Sequence, residues 1–400
     1  MRHLALLVSW EQGHLRPTIA LGRELVSQGC RVTVVGIPDV GPLVRSHGLE
    51  FRPIFANTWP LGSMDIRRGP SPLQQLLQAF DHLEQLASCN APIRALDSIQ
   101  ADGLLVWWVA SLEAVCLVGR VGAPLGVITT ELRQQDAGIE QLARRRLGAA
   151  MRSPAGLRFI RLLESLHGGS LERVIRQLAA LPEAITCPEI LLHDEEALPA
   201  SYLGPCVLEP PGERRRSSGS AAEQGSLRVY LAFGSQAVMF PEAAQRWIRL
   251  CMAAFQLAKR RDLSWRLEAA FPRRLANGIE VPANVTVHDW LPQRECLSDA
   301  DLFITHGGAN SVKEAIVAQV PMIVMPLGRD QPENGRRIDG HGLGRVVSSA
   351  ASTEQLLSMF EELPNDVRVR ERLAEFASRF AKARFEGRER AFASRVVGAE

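Results

Sequence analysis

The stretch DWLPQRECLSDADLFITHGGANSVKEAIVAQVPMIVMPLGRDQPENGRRI, Asp289 to Ile338, decides the architecture. Leu302–Thr305 is a short continuous apolar run and reads as a buried strand. His306-Gly307-Gly308 follows as a loop, Asn310–Ala318 as a helix, and Met322–Met325, ahead of Pro326, as a second buried strand. Strand, loop, helix, strand is the grammar of a parallel sheet. It extends on both sides. Val229–Phe233 is a strand ending in Gly234-Ser235, Ala243–Arg260 a helix, and Ser264–Ala269 and Val285–Val287 are strands. Leu356–Glu361 and Asp366–Phe385 are closing helices.

The N-terminal half repeats the pattern. Leu4–Val8 is a strand, Gly13 lies in the loop after it, and Pro17–Gln28 is a helix with proline in its first turn and Gly29 at its end. Arg31–Gly36, Gly103–Val106 and Leu125–Thr129 are further strands. Residues 55–100 and 131–185 are less regular and read as insertions with short amphipathic helices such as Leu73–Leu86. EPPGERRRSSGSAAEQ, Glu209–Gln224, has no apolar period and reads as a linker. The expected plan is an N-terminal domain over 1–208, a linker over 209–227, a C-terminal domain over 228–385, and a tail over 386–400 that packs back on the N-terminal domain. The fold class is α/β, with two Rossmann-like doubly wound domains facing a central ligand cleft.

Bulk properties agree. The 400 residues, 46% hydrophobic and 22% charged, carry enough apolar material for two cores. A net charge of +2 gives no basis for a nucleic-acid partner. The basic clusters Arg144–Arg146 and Arg214–Arg216 read as solvated faces, with peripheral contact to anionic membrane headgroups as the alternative. Seven scattered cysteines, none in a C-x-x-C pair, argue against a disulfide framework or a zinc site and for a reducing compartment. The opening apolar run is too short for a signal peptide or a membrane span, so a cytoplasmic location is expected.

The chemistry lies in the opening stretch. Glycines 307 and 308 let a backbone approach a ligand closely, and the first amides of the following helix favour an anion. His306 and Ser311 add side-chain donors, so a diphosphate would fit here. Glu314, one turn in, can accept from sugar hydroxyls. Trp290 offers a flat surface for a base, and Asp330-Gln331 offers polar groups for a hexose. Singly, these residues read as core, turn or solvated helix; their ordered spacing is what points to one site.

The same residues resemble the GT-B-fold family-1 glycosyltransferases, which include bacterial macrolide and carotenoid glucosyltransferases, plant secondary-product transferases and animal glucuronosyltransferases. Trp290, Pro292 and Gln293 match W-x-P-Q. His306, Gly308, Asn310, Ser311 and Glu314 match H-C-G-W-N-S-x-x-E, and Asp330 and Gln331 match D/E-Q. The resemblance implies that Trp290, with Leu291 beside it, holds uracil and that Gln293 holds the base or ribose. It further implies that His306, Gly308, Asn310 and Ser311 bind the diphosphate, Glu314 the ribose and Asp330 with Gln331 the hexose. Phe233-Gly234-Ser235 looks like the family's phosphate-side F-G-S loop. No resident cofactor or metal is implied. The donor expected is a UDP-sugar, because Glu314 gains from two ribose hydroxyls, with a dTDP-sugar as alternative; UDP-glucose is favoured because Asp330 and Gln331 suit a neutral hexose.

His14, in GHLRP, matches the family's G-H-x-x-P base, which takes the proton of an acceptor hydroxyl as the anomeric carbon inverts. The family pairs this histidine with an Asp near the end of a later strand; here Trp107 and Trp108 stand in that region. Three readings are open. Glu113 or Glu131 substitutes, the acceptor is acidic enough to need no Asp, or the protein is slow or inactive with the tryptophans packing an apolar acceptor. Trp59, Trp107 and Trp108 are the acceptor-binding candidates. The leading expectation is an inverting, metal-independent hexosyltransferase acting on an apolar small molecule. The alternatives are a catalytically weak sugar-nucleotide binder serving as an auxiliary partner, and a GlcNAc-transferase-like envelope enzyme.

Overall fold

A computed structural model describes residues 1–56, 59–62, 83–107, 113–132, 139–192, 201–208, 226–235, 237–384 and 386–398. Two compact units share these residues. Unit 1 comprises Met1–Glu189, Asp194–Leu208 and Ala383–Glu400, and unit 2 comprises Ile190–His193 and Glu209–Lys382. The expected linker, Glu209–Gln224, the basic cluster Arg214–Arg216, most of the expected helix Leu73–Leu86, and Trp108 lie outside the described residues.

Unit 1 is built on the strands β1 (His3–Leu7), β2 (Arg31–Gly36), β3 (Glu50–Pro53), β4 (Gly103–Trp107), β5 (Leu125–Thr129), β6 (Glu183–Ile185) and β7 (Ser201–Tyr202). They pair in parallel in the order β3-β2-β1-β4-β5-β6-β7. Both sheet faces are covered, so the strands are apolar on both sides rather than alternating. Leu4, Leu6 and Val8 join one core with Val32, Val34 and the helix Gln12–Ser27; Ala5 and Leu7 join the other with Leu104, Val106 and Leu163.

The helix Arg388–Val396 closes the first of these cores with Phe392, Ala393 and Val396. Gly126 on β5 makes room for it, since a Cβ there would stand 2.6 Å from a Val396 methyl. Its anchor is Glu389, fully buried, which accepts from the Gly204 N–H at 2.8 Å and the Gln28 amide at 2.9 Å.

Unit 2 repeats the plan with β8 (Ser226–Ala232), β9 (Ser264–Ala270), β10 (Val285–His288), β11 (Leu302–Thr305), β12 (Met322–Val324) and β13 (Gly344–Val346). They are parallel, in the order β10-β9-β8-β11-β12-β13. In each unit the first strand lies inside the sheet, with the second on one side and the fourth on the other. This is the doubly wound order, with its switch point beside the first strand.

One element starts elsewhere than its sequence signals suggest. The first helix runs Gln12–Ser27, so Pro17 lies inside it and His14 in its first turn, not on a loop. Proline is best tolerated where no N–H is needed, which makes Pro17 look like a helix start. Here it withholds one N–H from the Gly13 carbonyl, and the buried face Leu15, Ile19 and Leu25 carries the helix through. Among the basic residues, Arg144 is bonded to Glu140 and Glu172. Among the described residues no helix is long and apolar enough to cross a membrane.

Glu389→Ala would strand the Gly204 N–H and the Gln28 amide. A hydrogen bond to a charged group contributes about 1.5–3 kcal/mol, so we expect a loss of roughly 3 kcal/mol in denaturant unfolding. A change within about 0.5 kcal/mol, the usual range for a surface site, would show that the helix Arg388–Val396 is held by apolar packing alone.

Candidate functional site

Strand order places the loops after β8 and β11 side by side at the switch point of unit 2, where open parallel sheets bind their ligands. Gly234-Ser235 follows β8; His306-Gly307-Gly308 follows β11 and leads into the helix Ala309–Ala318, with Gly308 at its N-cap. A glycine N-cap has no side chain of its own to cap that end, and the first amides of a helix favour an anion.

The loop is built around one imidazole. His306 is 8% exposed and lies between two glycines. A Cβ on Gly234 would come within 2.7 Å of its Cε1, and one on Gly308 would overlap its Nε2. Gly307 has φ +84°, which favours glycine, and a Cβ there would meet Val324 at 2.9 Å. Burial pushes the His306 pKa below its ordinary value, with Asp330 and the Ala232 carbonyl pulling the other way. The ring is therefore neutral at neutral pH.

Beside it, Gln293 opens the helix Gln293–Asp299, and its amide nitrogen donates to Ser311 Oγ at 3.1 Å and to Glu314 at 2.7 Å. Ser311 and Glu314 are both buried, so Glu314 is no solvated helix residue. Trp290 stands on the loop after β10 and is 63% exposed, an indole turned to solvent rather than into a core. Leu291 is half-buried on the same loop.

The Asp330-Gln331 pair is arranged differently from two side chains pointing at a ligand. Gln331 is 3% exposed, and its carbonyl oxygen accepts from the backbone of Leu327 at 2.7 Å and Gly328 at 3.1 Å, so that oxygen shapes the loop. Asp330 accepts from Asn334 at 2.7 Å, and Asn334 also donates to the Gly307 carbonyl at 2.9 Å. Fully buried Asn334 thus ties the glycine loop to Asp330. Sequence reading passed it over; its signal was the i, i+4 spacing from Asp330, legible only once the helix Gln331–Gly340 is known.

In unit 1, His14 sits at the corresponding switch point, in the first turn after β1. Its Nδ1 is 2.5 Å from Thr130 Oγ1, which also accepts from the Trp107 indole N–H at 3.2 Å. The Trp107 ring lies against the imidazole, centroids 4.2 Å apart. Its Nε2 is 3.3 Å from Glu11 Oε2. Thr130 therefore occupies the Nδ1 position expected for an Asp. Glu113 opens the helix Glu113–Leu117, and its side chain lies outside the described residues. Glu131 is half-buried next to Thr130.

Two of the acceptor candidates are buried. Trp107 ends a strand buried along its whole length and is 3% exposed, with its ring against His14. Trp59, 8% exposed, belongs to the core with Leu15 and Val34.

Comparison with known proteins bears on both sites. Residues 212–383 match the family model of UDP-glucoronosyl and UDP-glucosyl transferase. The chain is 25% identical to NDP-glycosyltransferase YjiC of Bacillus subtilis (strain 168), over 92% of this chain and 93% of that one. It is 28% identical to the oleandomycin glycosyltransferase of Streptomyces antibioticus, over 89% and 81%. Among solved structures, the glycotransferase of kitacinnamycin superposes with a TM-score of 0.73 at 25% identity, covering 99% of this chain and 98% of that chain.

Gly308→Ala would push a methyl into the His306 ring. Overpacking of this kind costs about 1–3 kcal/mol, so the variant should unfold at lower denaturant. Wild-type stability would mean that the ring moves aside freely.

Proposed function

We propose that this glycosyltransferase, whose residues 212–383 match the family model of UDP-glucoronosyl and UDP-glucosyl transferase, moves a hexose from a UDP-sugar to a hydroxyl of an apolar natural product, inverting the anomeric carbon. The observation that carries this reading is the hydrogen-bonded set Gln293, Ser311 and Glu314 at a helix N-terminus, beside the glycine-bound His306 and the exposed Trp290.

Each group has a task its chemistry suits. Trp290 and Leu291 face the base, and the Glu314 carboxylate accepts from the two ribose hydroxyls, oriented by Gln293. The amides after Gly308, with Gly234, Ser235, His306, Asn310 and Ser311, surround the diphosphate. Charge builds on the bridging oxygen as the sugar leaves, and fixed donors there lower the barrier. Asp330 meets the hexose; Gln331 acts on it mainly through the loop it shapes. His14 takes the acceptor proton as the acceptor oxygen bonds the anomeric carbon and the diphosphate departs with the bonding electrons. The oleandomycin glycosyltransferase among the relatives supports an apolar, macrolide-like acceptor.

A mass-spectrometric screen of UDP- and dTDP-sugars against apolar alcohols and phenols tests the reading. Transfer from UDP-glucose is expected, with His14→Ala lowering turnover by about 10²–10⁴ while donor binding persists. Equal, slow turnover in both would favour a sugar-nucleotide binder, and tighter binding of dTDP-sugars would overturn the choice of UDP.

His306 supplies a second check. Its pKa lies below the ordinary 6.5 in the free protein because of burial, and the added diphosphate charge raises it. UDP-glucose binding should therefore take up a proton and strengthen as pH falls below the ordinary histidine value. Calorimetry in buffers of different ionisation enthalpy reads this uptake; His306→Gln should abolish it, and uptake unchanged in that variant would refute the assignment.

A further inference from the structure

The charge problem at His14 is not solved by the residue at its Nδ1. The imidazole is 8% exposed and sits in the first turn of the helix Gln12–Ser27. The N-terminal end of a helix opposes a cation, so an imidazolium formed there needs a counter-charge. Thr130 is neutral. Its oxygen already accepts the Trp107 indole N–H, and an indole can only donate. A hydroxyl oxygen has a second lone pair, which suits it to accept the Nδ1–H of His14 at 2.5 Å. In the tautomer that places the proton on Nδ1, this fixes the ring with Nε2 as the base nitrogen, but it does nothing for the charge that appears when Nε2 takes a proton.

We propose that Glu11 supplies that charge, so that two side chains on opposite ring nitrogens divide the work of one aspartate: Thr130 orients the imidazole and Glu11 stabilises its protonated form. This rests on the reading of His14 as the base. Glu11 Oε2 stands 3.3 Å from Nε2, with the Glu11 side chain 29% exposed and His14 almost wholly covered. Glu11 is the N-cap residue of the same helix, yet its side chain does not cap it. Its backbone N–H is held by Ser9 Oγ at 3.1 Å. The helix end that opposes a cation favours this anion. Among the described residues, Glu11 is the ionisable side chain in contact with the ring.

The balance of the step is simple. The acceptor proton moves to the Nε2 lone pair, the acceptor oxygen bonds the anomeric carbon, and the bond to the diphosphate breaks with its electrons. Glu11 neither gains nor loses a proton. A carboxylate beside an unprotonated nitrogen raises the energy of the neutral ring and lowers that of the charged one, so its effect is largest in the transition state.

The test uses the full chain with Glu11→Gln, Glu11→Asp and His14→Ala. Glu11→Gln keeps the shape and removes the charge. With UDP-glucose and umbelliferone, kcat should fall about 10- to 100-fold in Glu11→Gln with KM within about twofold, and Glu11→Asp should recover part of it. An unchanged kcat in Glu11→Gln, or a loss that Glu11→Asp does not recover in part, overturns the proposal. If His14→Ala matches wild type in turnover, the base reading itself fails, a result distinct from the first.

Discussion

A parallel sheet cannot be closed by hairpins. Each strand must be reached by a crossover, so every strand in a sheet ends at the same edge. In both units the first strand lies inside the sheet, and the chain departs from it in two directions. Next to that reversal the loops have room and the helices point their N-termini outward. His14, Gly234 and His306 all occupy such positions. The chemistry of this chain is thus a consequence of strand order before it is a consequence of any single side chain.

Much of this was legible in the sequence because burial on both faces leaves an unmistakable apolar run. β2, β5 and β11 have the bounds their composition suggests. β3, β6, β7 and β13 did not announce themselves: EFRP, EAI, SY and GRV are not continuous apolar runs, and β3 is largely exposed. The start of the first helix was hidden by Pro17, whose preference for a first turn yielded to the packing of Leu15 and Ile19.

The glycine loop after β11 was equally legible, since backbone that must pass close to something requires glycine. The side chains that hold the loops were not. Asn334 and Thr130 act through hydrogen bonds to groups far away in sequence, Gly307 and His14, and no local pattern records those meetings. Glu11 is near His14 in sequence, but its relation to the ring depends on a helical turn that the proline disguised. Gln331 was marked by its spacing; that its carbonyl oxygen serves the loop was not readable there.

The clasp at Glu389 has an effect on the order of events in folding. The helix Arg388–Val396 completes the core of unit 1, yet the ribosome makes it only after the whole of unit 2. During synthesis unit 2 can be finished while the part of the unit 1 core that Phe392 and Val396 cover is still bare and the Gly204 and Gln28 donors are unanswered. Unit 1 is therefore an unfinished half in the nascent chain, sealed by a segment that arrives late. The interval is set by translation rather than by the folding rate of either unit.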